Sequence, residues 1–108
     1  METNMKMFTV NYLPSNYNYE VLGLVKGNTA QAKHVGKDLL AGLKNIVGGE
    51  VESYTEMLNE AREIATTRMV EEAKKLGANA IIGINYSSSS VLAGTVEVIA
   101  YGTAIILK

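Results

Sequence analysis

The sequence contains no cysteine and no tryptophan, and it has only one proline and one histidine among its 108 residues. Without cysteine the chain can form no disulfide bond, no thiolate metal site and no cysteine nucleophile. Disulfide bonds are typical of secreted proteins, so the lack of cysteine gives no reason to expect secretion. A single histidine also leaves few groups for acid–base catalysis. We therefore expect a binding or assembly protein in preference to an enzyme.

An excess of charge of one sign is also absent. Ten Lys and Arg residues against eleven Asp and Glu residues leave a net charge of −1, which provides no basic surface for DNA or RNA. No apolar run approaches the roughly 18 residues of a membrane span, and the N-terminus lacks a signal-peptide pattern. We expect a cytoplasmic protein that binds neither nucleic acid nor membranes.

The chain length and its 47% apolar fraction predict one domain over residues 1–108. Alternating apolar and β-branched residues predict four strands, over residues 5–12, 21–26, 80–86 and 95–107. Apolar residues spaced three or four positions apart predict two helices between the second and third strands. The first covers residues 35–47, and the second runs from a capping box at Ser53 and Glu56 to Leu76. The serine run 87–90 predicts a turn. The order β-β-α-α-β-β predicts an α+β domain, with a small, largely antiparallel sheet covered by helices on one face.

The last predicted strand is apolar on both of its faces. Between residues 95 and 107 the only charged side chain is Glu97. Because two helices can cover only one face of a small sheet, we expect the second face to pack against another subunit. The alternative is a small barrel, or a sheet that curls over its own face.

Several short motifs occur in the order found in one known family. They are Gly23, Val25, Gly27, Asp38, Ala41-Gly42-Leu43, Gly48-Gly49-Glu50, Tyr54, Ala61-Arg62-Glu63, Ala73 and the run 76–83. Together they resemble the YbjQ-like family, which is labelled "putative heavy-metal-binding" and is otherwise uncharacterised. The resemblance implies a small α+β subunit, similar to the dodecin subunit, that assembles into a ring-shaped homopentamer. It also makes a divalent metal ion the candidate ligand.

Four residues are candidate metal ligands. His34 and Asp38 are spaced i, i+4 on the first predicted helix, so an imidazole and a carboxylate could share one divalent ion. A zinc site needs three or four ligands, so this pair would have to be repeated around a ring axis. Glu50 and Glu52 lie beside the double glycine and could bind a hard cation. The alternatives are a solvated His–Asp pair and glutamates that face water.

Five further residues are candidate anion or ligand contacts. Gly27, Asn28 and Thr29 precede the first predicted helix, where free backbone N–H groups attract anions, although an N-cap by Asn28 or Thr29 is the alternative. Arg62 and Tyr54 lie on the second predicted helix, where packing or an intersubunit contact is the alternative role.

The leading hypothesis is a non-enzymatic homo-oligomer, a pentameric ring that binds a metal ion. Two competing hypotheses stay open. One is an enzyme or small-molecule binder with sites between subunits, and the other is an assembly scaffold without a ligand.

Overall fold

The computed structural model describes residues 4–32, 52–90 and 94–108. Its elements in chain order are β1 (Lys6–Met7), β2 (Tyr19–Ala32), α1 (Glu52–Lys75), β3 (Ala80–Ser89) and β4 (Thr95–Leu107). The four strands form one mixed sheet in the order β1-β3-β4-β2. Strand β4 pairs antiparallel with β2 and β3, and β1 pairs parallel with β3. The α+β class is therefore confirmed.

The first predicted helix, residues 35–47, lies outside the described residues. The order with two helices and the likeness to the dodecin subunit therefore stay predictions. Within the described ranges, no helix is long and apolar enough to cross a membrane.

Three of the four predicted strands have wrong bounds, and pairing with β4 explains the later ends of two of them. Strand β2 continues to Ala32 because Gly27 and Asn28 pair with residues of β4 instead of ending the strand. The serine run continues β3 as far as Ser89, which pairs with Glu97. Backbone pairing thus overrides the turn preference of glycine and serine. The first strand is shorter than predicted, since only Lys6–Met7 is in the sheet.

Helix α1 packs on one face of the sheet through its smallest side chains. Ala61, Ala65 and Ala73 are fully buried, as is Met69. These residues recur every four positions and so lie along one side of the helix, as the predicted apolar spacing of three or four requires. The predicted end of the helix at Leu76 is wrong by one residue. Leu76 follows the last helical residue and is 48% exposed.

The opposite face of the sheet, which we call the outer face, is covered at one end by the N-terminal segment. Tyr17 N donates to Pro14 O at 2.9 Å, which closes a turn at the proline. Leu13, just before this turn, is buried against Ile82 and Ile105 of the outer face. The chain therefore covers part of its second apolar face by itself.

Candidate functional site

A cleft lies between α1 and β3. Its lining residues define what we call the hydroxyl cleft: Asn59, Arg62, Glu63, Thr66, Thr67 and Tyr86. The first five are spaced i, i+3, i+4, i+7 and i+8 on α1, so they share one flank of the helix. The cleft volume is about 780 Å³, within the range of roughly 300–1,000 Å³ found for small-molecule sites.

An irregularity in β3 places Tyr86 on the side of the cleft. Ile82 pairs with Thr103, but the register shifts before Asn85, so that Tyr86 pairs with Ala100. Ala100 is buried in the same cluster as the α1 alanines, and residues that pair across strands share a face. The shift therefore turns Tyr86 from the outer face to the face that carries α1.

Hydroxyl groups connect the two walls of the cleft. Thr66 Oγ1 donates to the carbonyl oxygen of Arg62 at 2.7 Å. Thr66 Oγ1 also lies 2.7 Å from Tyr86 Oη. Because a hydroxyl carries a single proton, Tyr86 is the donor in this second bond. The lone pairs of the Tyr86 oxygen can then accept a hydrogen bond from a ligand.

Opposite charges lie side by side on the helical wall of the cleft. Arg62 Nη1 donates to Asn59 Oδ1 at 3.2 Å. A guanidinium has five N–H donors, so Arg62 has donors left for a ligand, and Glu63 supplies a carboxylate beside it. The hydroxyl cleft can therefore bind a positive and a negative group of one small molecule.

A second, more highly charged groove lies between α1 and β2. It has a volume of about 370 Å³ and is lined by Lys26, Gly27, Asn28, Arg68, Glu71, Glu72 and Lys75. Arg68 Nη1 donates to Asn28 O at 2.7 Å and so connects helix and strand. Lys75 Nζ lies 2.9 Å from Glu72 Oε2, and this hydrogen bond to Glu72, together with its negative charge, raises the pKa of Lys75.

The predicted anion site at Gly27, Asn28 and Thr29 rests on a helix start, and this assumption is wrong. All three residues lie inside β2, so they do not offer the free N–H groups of a helix start. Thr29 is buried, and its hydroxyl accepts a hydrogen bond from Gln31 Nε2 at 2.9 Å. The basic residues that line the groove beside Gly27 and Asn28 are Lys26 of β2 and Arg68 and Lys75 of α1. Anion binding at these positions stays a prediction.

Only one of the four predicted metal ligands belongs to the described residues. His34, Asp38 and Glu50 lie outside the described residues, and Glu52 is the first residue of α1. Among the residues that are described, no group of three or more His, Cys, Asp or Glu side chains could hold a metal ion. The metal site therefore stays a prediction.

The two ligand candidates on α1 have different surroundings. Tyr54 is half-buried and packs against the core, in agreement with its alternative role in packing. Arg62 lines the hydroxyl cleft. Sequence reasoning missed its partners Thr66 and Tyr86, which are 20 positions apart. Helical spacing from Arg62 indicates Thr66, whereas nothing local connects Tyr86 with α1.

The part of the outer face beyond the N-terminal segment exposes apolar side chains. Ile105, Thr103 and Tyr101 are two positions apart along β4, so their side chains lie on the same face as Ile105, the outer face. Val21 pairs with Ile105 and Leu24 pairs with Thr103, so Val21, Leu24 and Tyr101 share this face. Leu24 is 71% exposed, Val21 61% and Tyr101 39%. We call these three residues the apolar patch.

These features define a small α+β protein with polar clefts beside α1 and an exposed apolar patch on its sheet. The chain belongs to the YbjQ family, described as "Putative heavy-metal-binding", whose sequence profile matches residues 5–108. The resemblance found in the sequence is thus confirmed.

Relatives from distant organisms match nearly the whole chain. A "UPF0145 protein" of Helicobacter hepaticus is 61% identical over 101 residues, which are 94% of this chain and 96% of the relative. A "UPF0145 protein" of Archaeoglobus fulgidus is 54% identical over 108 residues, the full length of both chains.

One solved structure has a similar fold. It is a protein of unknown function from Pediococcus pentosaceus, assigned to the DUF74 family, with a TM-score of 0.66 and 18% identity. The match covers 98% of this chain and 100% of that one. At this identity the likeness shows the fold alone.

Proposed function

We propose that this protein is a non-enzymatic homo-oligomer, a pentameric ring, that binds a divalent metal ion. The single observation that carries the assembly is the apolar patch at Val21, Leu24 and Tyr101. The family description supports a metal ion as the ligand.

A second copy of the chain is the partner that best fits the apolar patch. Large exposed apolar patches mark interaction surfaces, and this one lies on β2 and β4 in the longest strand pair of the sheet. In the described part of the chain β2 pairs only with β4, so its other edge can pair with a neighbouring strand. Packing across the patch and pairing along the edge together supply a continuous interface.

A ring also supplies the metal ligands that one chain lacks. One subunit has a single histidine, whereas a zinc site needs three or four ligands. A fivefold ring would contain five copies of His34 and Asp38. Glu50 and Glu52 would be repeated in the same way and could add oxygen ligands for a harder ion.

Light scattering coupled to size-exclusion chromatography tests the assembly. We expect a mass of five times the 11.6 kDa of one chain. Leu24→Lys puts a charge into the interface and should lower this mass. Glu60→Lys, on the exposed side of α1, is the matched control and should leave it unchanged. A wild-type monomer at micromolar concentration would overturn the assembly.

Calorimetric titration with zinc, copper, nickel and cadmium tests the metal. We expect dissociation constants below about 1 μM, which corresponds to roughly −8 kcal/mol. His34→Ala and Asp38→Ala should weaken binding, whereas Glu60→Ala, which removes an exposed carboxylate, should not. Binding that is absent, or that does not respond to the His34 and Asp38 variants, would contradict this metal site.

The hydroxyl cleft favours a second candidate function, which is small-molecule binding. It contains Arg62, one of the predicted ligand contacts, and its volume suits a small organic ligand. The competing hypothesis from the sequence places such sites, or the active site of an enzyme, between subunits. Mapping the cleft against the oligomer interface by hydrogen exchange tests this, because residues at an interface become protected on assembly.

A further inference from the structure

We infer that the hydroxyl cleft binds a small zwitterion of the α-amino acid class, with the ligand carboxylate on Arg62 and the ligand ammonium on Glu63 and Tyr86. This inference names the ligand for the second candidate function and rests on it. It does not depend on metal binding.

The carboxylate position follows from the free donors of Arg62. Arg62 Nη1 is held by Asn59 Oδ1, which orients the guanidinium plane, and the other N–H groups can donate to a ligand. A planar guanidinium matches the two oxygens of a carboxylate. Among the described residues that line this cleft, Arg62 is the only basic one, so it is the binding group for a negative charge.

The ammonium position follows from the acceptors beside Arg62. Glu63 contributes a carboxylate to the same wall, and this charge disfavours a dicarboxylate ligand through repulsion. The hydroxyl of Tyr86 donates its hydrogen bond to Thr66, so the lone pairs of the Tyr86 oxygen are available to a ligand. An ammonium group has three donors and no acceptor, and it is therefore complementary to Glu63 and Tyr86.

The ring of Tyr86 adds a surface for the rest of the ligand. Tyr86 is 47% exposed although it lies on the face that carries α1. An exposed aromatic face attracts cations and packs against apolar groups. The cleft volume of about 780 Å³ leaves space beyond the two charged groups, so amino acids with larger side chains can also fit.

The test compares L-serine with two molecules that each lack one charged group. In 3-hydroxypropanoate the ammonium is missing, and in ethanolamine the carboxylate is missing. Titrations of the full chain at neutral pH are followed by ¹⁵N–¹H NMR on the amide signals of α1 and Tyr86. We expect L-serine to shift the signals of residues 59–67 and 86 with saturation. Each partial analogue should bind at least about tenfold more weakly than L-serine, since it leaves one charged partner in the cleft unpaired.

Two pairs of variants separate specific contacts from general charge effects. Arg62→Gln should weaken L-serine binding by about tenfold or more. The control Arg68→Gln removes the same charge from the other flank of α1 and should change it by less than about twofold. Glu63→Gln should weaken binding in the same way, with the exposed Glu60→Gln as its control. Thermal unfolding verifies that each variant is folded.

The outcomes distinguish the ligand class from the underlying function. If 3-hydroxypropanoate binds as tightly as L-serine, the cleft binds small molecules but the amino-acid class is wrong. If L-serine shifts no signal in residues 59–67 and 86, the inference is overturned, and a broad fragment screen on the same signals then decides whether the cleft binds any small molecule. Equal losses in Arg62→Gln and Arg68→Gln would also overturn it, because attraction by overall charge would then explain the binding.

Discussion

Replacing Gly27 by alanine should push α1 away from β2 and destabilise the protein. A Cβ atom at Gly27 would lie 2.7 Å from Arg68 Cβ, and closer still to Ala65 O and Met69 N. Real Cβ atoms essentially never approach other heavy atoms within 3.0 Å. Two of the three colliding atoms belong to the backbone, so a change of rotamer cannot relieve the collision. The helix must move away from β2.

The expected loss of stability follows from two opposing terms. Overpacking a well-packed contact costs about 1–3 kcal/mol and occasionally more, and a collision with backbone belongs at the upper end of that range. Alanine restricts the unfolded chain more than glycine does, which returns about 0.4–1 kcal/mol. We therefore expect Gly27→Ala to lower the free energy of unfolding by about 2–3 kcal/mol. In a domain of this size the melting temperature should fall by roughly 10–20 °C.

Urea and thermal unfolding, followed by far-UV circular dichroism, measure this loss. Wild type and variant must be compared at one protomer concentration, because assembly adds to apparent stability. The control Asn28→Ala alters the next, exposed residue of β2 and should change stability by less than about 0.5 kcal/mol. Adding Ala65→Gly to Gly27→Ala should restore nothing, since the colliding atom of Ala65 is its carbonyl oxygen. A Gly27→Ala protein as stable as wild type would refute this account of the contact.

Three further changes test other contacts. Asn79 Nδ2 donates to Leu107 O at 2.8 Å, and Leu107 N donates to Asn79 Oδ1 at 2.6 Å. Asn79→Ala should therefore lower the free energy of unfolding in urea by about 1–2 kcal/mol. An unchanged urea midpoint would contradict this. Gly83 has a φ of 63°, so Gly83→Ala should lower the free energy of unfolding by about 1–2 kcal/mol. Gly83→Asn should lower it less, because asparagine tolerates this conformation. Equal losses in the two variants would argue against backbone strain. Glu72→Gln should return the raised pKa of Lys75 toward 10.5, as measured by NMR at Nζ. Because a raised lysine pKa contributes stability that is fully present below 10.5 and is lost only above the folded-state value, the slope of stability against pH near neutrality should not change.

Elements with local signals could be predicted from the sequence. Strand β4 has the predicted bounds of 95–107. Helix α1 ends at Lys75, one residue before the predicted end, and begins at Glu52, next to Ser53 of the predicted capping box. Periodicity and glycine after the helix are properties of neighbouring residues, so they need no knowledge of the rest of the fold.

Features that depend on distant residues could not be predicted. Gly27 ends a strand in the sequence-based interpretation, but its lack of a side chain serves the close approach of α1 to β2. The serine run has no strand propensity of its own and is held in β3 by pairing with β4. Likewise, Met57 and Val70 are buried beside the predicted helix face, because the sheet covers more of α1 than one narrow apolar stripe.

The candidate cleft depends on the register shift in β3 more than on any one side chain. Side chains alternate along a strand, so without the shift Tyr86 would share the outer face with Ile82. Gly83 adopts the left-handed conformation at this point, and its N–H donates to Val10 O at 2.6 Å. The N-terminal segment thus holds the irregularity that turns Tyr86 toward Thr66. A substitution that straightens β3 at Gly83 should consequently remove one wall of the hydroxyl cleft, even though Gly83 does not line it.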